Sequence, residues 1–104
     1  MKLSIIIPAY NEEATIEHLI RRVQAVDLGT IEKEIIVVND GSQDGTGQVL
    51  QRLAGIRHLS HERNSGKGSA LTTGFQAATG DMILIQDADL EYDPRDYAAM
   101  IQPL

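Results

Sequence analysis

The sequence predicts an α/β fold, a parallel Rossmann-like sheet with flanking helices. Four short apolar runs recur along the 104 residues, and helix-period patterns fill the intervals between them. The residues that bear chemistry follow the runs directly, as they do in sheets whose ligands bind beyond the carboxyl ends of the strands.

The first run is "LSIII" (3–7), nearly continuous in Ile, as strands covered on both faces tend to be. Ile16, Leu19, Ile20 and Val23 follow at i, i+3, i+4 and i+7, which predicts an amphipathic helix over about 12–26 with Asn11 as its N-cap. The second run is "EIIVVN" (34–39), followed by a shorter helix over about 45–54 carried by Val49, Leu50 and Leu53. "IRHLS" (56–60) is the third. The stretch 67–79 reads as a helix weakened by Gly74. "DMILIQ" (81–86) is the fourth strand, and a last helix is expected from Pro94, with Asp93 as its cap. Strand and helix alternate four times, so right-handed crossovers should bring four loops to one crevice. Those loops are "PAYNEE", "NDGSQDG", "ERNSGKG" and "QDADLE".

Bulk numbers exclude some functions. A formal net charge of −6 argues against nucleic acid as a partner. The absence of cysteine removes disulfide and thiolate chemistry. The apolar start "MKLSIIIPAY" is too short for a signal-peptide core or a membrane span, so a cytoplasmic location is expected. The charge is unevenly placed. Six of the 15 carboxylates fall between Asp81 and Asp96, whereas 57–67 holds Arg57, Arg63 and Lys67 against Glu62 alone. An acidic focus beside a basic segment suits a site that handles metal and phosphate together.

Asp87, Asp89 and Glu91 place three carboxylates within five residues at the end of a core strand. Like charges so placed repel unless something positive sits among them, and hard oxygen ligands suit Mg2+ or Mn2+, which usually share one or two carboxylates with substrate phosphates. A solvated acidic loop capping the next helix is the plainer reading. Calcium-loop spacing fails at the required Gly, which is Tyr92. Asp40 sits at a strand tip, where it either accepts an N–H from a nucleobase edge or makes an Asx-turn; its residue type leaves both open. Lys67, flanked by glycines at a helix start, suits an anion, although the pattern lacks the earlier Gly of a Walker A loop. Tyr10 can stack on a base or ribose, or simply cover the first helix. His18, His58 and His61 show no metal-ligand spacing and receive no role. No GxGxxG follows the first strand, which counts against NAD and FAD.

Taken together, "IIIPAYNEE", "VVNDGSQDGT", "NSGKGSAL" with Gly74, and "GDMILIQDADLEYDP" resemble the nucleotide-binding half of family-2 glycosyltransferases of GT-A fold. The last segment is most similar to the polyprenyl-phosphate sugar synthases, such as dolichol-phosphate mannose synthases. The resemblance implies that Asp87 and Asp89 match the Asp-x-Asp motif that binds Mg2+ or Mn2+ through the donor diphosphate, with Glu91 as a further ligand. It places Pro8, Tyr10, Glu12 and Asp40 around the base and ribose, and Lys67 and Asp87 beside the nucleotide. Asn39 stands where an Asp is commoner, leaving Asp40 as the nucleobase contact.

The implied function is metal-dependent binding of a UDP- or GDP-sugar for inverting transfer to a polyprenyl phosphate or another cell-envelope acceptor, at the inner face of the membrane. Residues 1–104 are expected to be the donor-binding half of a longer catalytic domain, inactive alone, with the general base beyond Leu104. Exposed sheet edges then predict a homo-oligomer. The competing reading is a non-catalytic divalent-metal or nucleotide-binding module.

Overall fold

The computed structural model describes residues 1–87. Its element order is β1 (Lys2–Ala9), α1 (Ile16–Ala25), β2 (Glu32–Asp40), α2 (Thr46–Arg52), β3 (Arg57–His61), α3 (Lys67–Ala77) and β4 (Met82–Ile85). Each expected strand and helix up to residue 87 is present. The expected helix from Pro94 lies outside the described residues.

The four strands form one parallel sheet in the order β3-β2-β1-β4. Progression outward from β1 to β2 to β3 is followed by a return to the far side of β1, so strand order reverses between β1 and β4. That reversal opens a crevice above the carboxyl ends of the strands.

Alternate residues of the strands serve two cores. Leu3, Ile5, Ile7, Ile35 and Val37 pack with Ile16, Leu19, Ile20 and Val23 of α1 and with Val49 and Leu50 of α2. On the opposite face Ile36 and Val38 meet Ala70 of α3. β1 and β2 are therefore covered on both sides, which is why their sequences are almost unbroken in Ile and Val. β3, at an edge, leaves Arg57, His58 and Ser60 exposed. Lys33 closes the end of α1 from the neighbouring strand, donating to the carbonyls of Val23 at 3.0 Å, of Gln24 at 2.8 Å and of Val26.

Two local expectations are corrected. Asn11 is not the N-cap of α1: the helix starts at Ile16 with Thr15 at the cap position, after a turn in which the Thr15 and Ile16 N–H groups donate to Glu12 O. Asn11 instead sits at φ 53° and accepts the Gln43 N–H at 2.8 Å. The neighbouring loop outcompetes the helix for its side chain. Gly74, read as a weakness of α3, is a packing requirement. A Cβ there would lie 2.5 Å from Ile6 Cγ2, so glycine lets α3 lie directly on β1.

Candidate functional site

The loop after β1 and the loop after β2 are stapled into one block. Asn11 N–H donates to Ser42 Oγ (2.9 Å), Glu12 N–H to Thr46 Oγ1 (2.9 Å), and Glu13 N–H to Asp44 Oδ2 (3.3 Å), while Gln43 N–H returns to Asn11. The small polar residues of "NDGSQDGT" are there to accept these N–H groups. Asn39 Oδ1 takes the Ser42 N–H at 3.1 Å, so the Asx-type turn belongs to Asn39 and frees Asp40. Asp44 takes both the N–H and the hydroxyl of Thr46 at 2.9 and 2.6 Å. Burial pushes the Asp44 carboxyl up, but the Thr46 hydroxyl and N–H and the Glu13 N–H outweigh it and hold it low.

Asp40 ties this block to the third loop. It is 4% exposed, yet carries a charge. Its Oδ1 accepts from Ser65 N–H at 2.9 Å and lies 2.8 Å from His61 Nδ1; Oδ2 accepts from Gly66 N–H at 2.8 Å. Burial alone would raise this carboxyl, but Ser65, His61 and Gly66 outweigh it and hold it below the usual carboxylate range. Because an ionised carboxylate only accepts, the His61 Nδ1 carries the proton. The other ring nitrogen lies 2.8 Å from Thr73 Oγ1 of α3. Gly41 makes the approach of the loops possible: at φ +70°, a Cβ would meet the backbone of Arg63 and Asn64 at 2.4 Å.

The loops enclose a cavity of about 390 Å3 above the point where strand order reverses. Pro8, Tyr10, Glu12, Asp40, Lys67 and Asp87 all contribute to its wall, together with Ala9, Asn64, Gly66 and Ala70. Tyr10 is 42% exposed at its mouth. The amino end of α3 forms part of the wall through Gly66, Lys67 and Ala70; first-turn N–H groups of a helix have no acceptor within it, and its dipole favours an anion. Lys67 Nζ pairs with Asp87 Oδ1 across the cavity. Asp89 and Glu91 lie outside the described residues, and no cluster of three metal-ligating side chains occurs among the described ones.

All six residues expected around a nucleotide thus meet at one cavity, although they come from four segments of the chain. His61 and Thr73 were missed. A histidine three positions before the Asn-x-Gly-Lys turn carries no spacing signal, and only the fold brings it to Asp40.

The model of Glycosyl transferase family 2 matches residues 4–104. The chain belongs to that family. Among curated relatives, an undecaprenyl-phosphate 4-deoxy-4-formamido-L-arabinose transferase of Pseudomonas aeruginosa is 35% identical over 96% of the chain and 31% of the relative. A dolichol-phosphate mannosyltransferase of Pyrococcus furiosus is 35% identical over 100% of the chain and 30% of the relative. The glycosyltransferase chain therefore spans about a third of the length of the curated relatives it matches.

Solved structures agree. S. aureus TarS 1-349 in complex with UDP-GlcNAc superposes with a TM-score of 0.83 at 30% identity, over 96% of this chain and 30% of that one. The mannosyltransferase PcManGT from Pyrobaculum calidifontis, in complex with GDP-Man and Mn2+, gives 0.83 at 31% identity, over 93% and 30%. The parallel four-stranded α/β sheet is that of GT-A glycosyltransferases.

Proposed function

We propose that the cavity binds a nucleotide-sugar donor, and that residues 1–104 are the donor-binding half of a glycosyltransferase domain acting on a lipid-linked phosphate acceptor. One observation carries the reading: Pro8, Tyr10, Glu12, Asp40, Lys67 and Asp87 converge on one cavity at the strand-order reversal, with a helix amino end in its wall. UDP-GlcNAc and GDP-Man complexes of the structural neighbours support a donor of that class. Relatives named for undecaprenyl and dolichol phosphates support the acceptor class.

Asp40 is placed to accept an N–H of the base, and Tyr10 to cover base or ribose from the mouth. Lys67 and the start of α3 balance diphosphate charge, which grows on the leaving group as the glycosyl bond breaks. Asp87 has the hard, half-buried carboxylate that suits Mg2+ or Mn2+, and its pairing with the Lys67 ammonium supports a role beside a cation; Asp89 and Glu91 are assigned as further ligands from the sequence. When bound, the divalent ion supplies Lewis-acid neutralisation of the diphosphate.

Among the described residues no helix is long and apolar enough to cross a membrane. Relatives named for lipid phosphates support contact with a lipid acceptor at the inner face of the membrane. A second copy is the expected neighbour of β4, an edge strand among the described residues, where Ile83 and Ile85 are 47% and 37% exposed. Light scattering that returns a clean monomer mass at high concentration overturns that assignment.

Calorimetric titration with UDP, GDP and ADP, with and without Mn2+, tests the donor site. Binding of one nucleotide that strengthens with Mn2+ and weakens in Asp87→Asn is expected. A ligand at about 100 times its Kd also raises stability by about 2.7 kcal/mol. Absence of binding by all three refutes the reading.

A further inference from the structure

Acceptor arithmetic at Asp40 reaches past the class of donor to its base. An ionised carboxylate offers about four lone-pair positions. Three are taken by protein donors: His61 Nδ1–H and Ser65 N–H on Oδ1, and Gly66 N–H on Oδ2. Ser65 and Gly66 donate from the backbone of the turn that opens α3, so those two bonds involve no side-chain donor. His61 is the side chain among the three donors. Its ring is held on the far side by Thr73 Oγ1, whose hydroxyl can donate to Nε2 while Nδ1 keeps its proton for Asp40. The ring is 19% exposed, and its orientation is fixed from both ends. Among the described residues Oδ1 is therefore filled, and one acceptor position remains, on Oδ2.

The bases differ in what they present to a carboxylate. Guanine offers two adjacent donors, N1–H and N2–H, and a paired contact needs a vacant position on each oxygen. Uracil offers a single imide N–H. Adenine sets its amino donor beside the N1 lone pair, which faces the second carboxylate oxygen and is repelled by it. We propose that His61 is a specificity-determining positioning residue: by occupying Oδ1 of Asp40 it leaves one acceptor, and so selects a uridine diphosphate donor over guanosine and adenosine ones. This rests on the donor-site reading above, and on Asp40 being its base contact.

The test compares two amide replacements of nearly equal chemistry. In His61→Asn the amide nitrogen can stand where Nδ1 stood and still donate to Asp40. In His61→Gln the amide reaches toward the Thr73 side, and Oδ1 of Asp40 is released. UDP, GDP and ADP are titrated calorimetrically into the protein and both variants at fixed Mn2+, with circular dichroism reporting the fold. The protein is expected to bind UDP at least about tenfold tighter than GDP, a margin one unmatched hydrogen bond to a charged group supplies. His61→Asn keeps that ratio, and His61→Gln lowers it by about tenfold through tighter GDP binding.

A protein that binds GDP as well as UDP, or better, overturns the inference while leaving the donor site standing. So does an equal fall for all three nucleotides in both variants, since a purely structural histidine would not move the ratio. A protein that binds none of the three fails at the donor site itself, and takes the inference with it.

Discussion

Glu34 and Asp40 stand on the same strand and the same face of it, about 20 Å apart by the rise of a strand. Both are largely buried and both are held below their ordinary range. Their surroundings differ in one respect. Glu34 Oε1 accepts from Ser4 Oγ–H at 2.8 Å and Thr79 N–H at 2.9 Å; Oε2 accepts from the Thr79 hydroxyl at 2.9 Å and has Lys2 and Arg57 each at 3.5 Å. Three acceptor positions are hydrogen-bonded, as at Asp40, but here the charge is also balanced by two cations. Asp40 has three donors, lines a cavity, and among the described residues pairs with no Lys or Arg. A carboxylate hydrogen-bonded and charge-balanced by the protein itself is a structural clamp, here fixing the α3–β4 connection to the base of the sheet. One left with spare acceptor capacity at a cavity wall is available to a ligand.

The largest effect expected is on stability, at the clamped end. Glu34→Ala removes the acceptor for three hydrogen bonds and leaves Lys2 and Arg57 without their counter-charge, a loss of about 3 kcal/mol. Urea denaturation should show it, while nucleotide affinity per folded molecule stays unchanged. A variant that unfolds no more easily than the parent would dissolve the contrast. Acid sharpens the same point. Burial pushes the Glu34 carboxyl up, but the Thr79 N–H, the Ser4 and Thr79 hydroxyls and Lys2 bring it down to about 2 from 4.5. The unfolded chain then takes up the proton first. The clamp's contribution is whole above about pH 4.5 and is lost as pH falls toward 2, at no more than about 1.4 kcal/mol per pH unit. Stabilities of the protein and of Glu34→Gln should converge across that window, and curves that stay parallel would show the clamp is not electrostatic.

Asp40→Ala addresses the other end. It strands the Ser65 and Gly66 N–H groups and should cost about 1–3 kcal/mol of stability, but its signature is a loss of nucleotide affinity on the order of 100-fold. Affinity that falls only as far as the folded fraction falls would make Asp40 a second clamp. Gly74→Ala acts on the helix that joins the two ends, since α3 starts at Lys67 beside the cavity and leads into Thr79 at the clamp. Its methyl meets Ile6 at 2.5 Å, and overpacking of about 1–3 kcal/mol exceeds the roughly 1 kcal/mol gain in helix propensity. Lower stability together with weaker nucleotide binding is expected. A stabilised protein would mean that α3 has room to move.

The clamp and the site were not equally legible in the sequence. The strands were plain because β1 and β2 are buried on both faces, and the cavity-lining Pro8, Tyr10, Asp40, Lys67 and Asp87 all stand at the end of a strand, just past one, or at the start of a helix. Parallel α/β topology sends such positions to one end, so sequence order alone locates them. What stayed hidden depends on partners far apart in the chain. Glu34 is bound by Ser4 and Thr79, 30 and 45 residues away, and begins a run that otherwise reads as a strand start. His61 meets Asp40 only through strand register, 21 residues on. Asn11 looked like a cap because its competitor, the Gln43 N–H, lies on another loop.

The smallest effect concerns the third carboxylate, Asp87, which pairs among the described residues with the ammonium of Lys67, a side chain 58% exposed. An exposed pair of this kind contributes at most about 1 kcal/mol to stability, and salt screens it. Lys67→Gln should therefore leave the unfolding midpoint nearly unmoved. If Lys67 serves the diphosphate, the same change lowers nucleoside diphosphate affinity about three- to tenfold, more at low ionic strength than at high, and leaves the preference among bases alone, because it acts on charge and not on the base edge. Titrations at two salt concentrations decide it. A loss that does not depend on salt would assign Lys67 to shaping the loop, and place the site's charge recognition in the helix end alone.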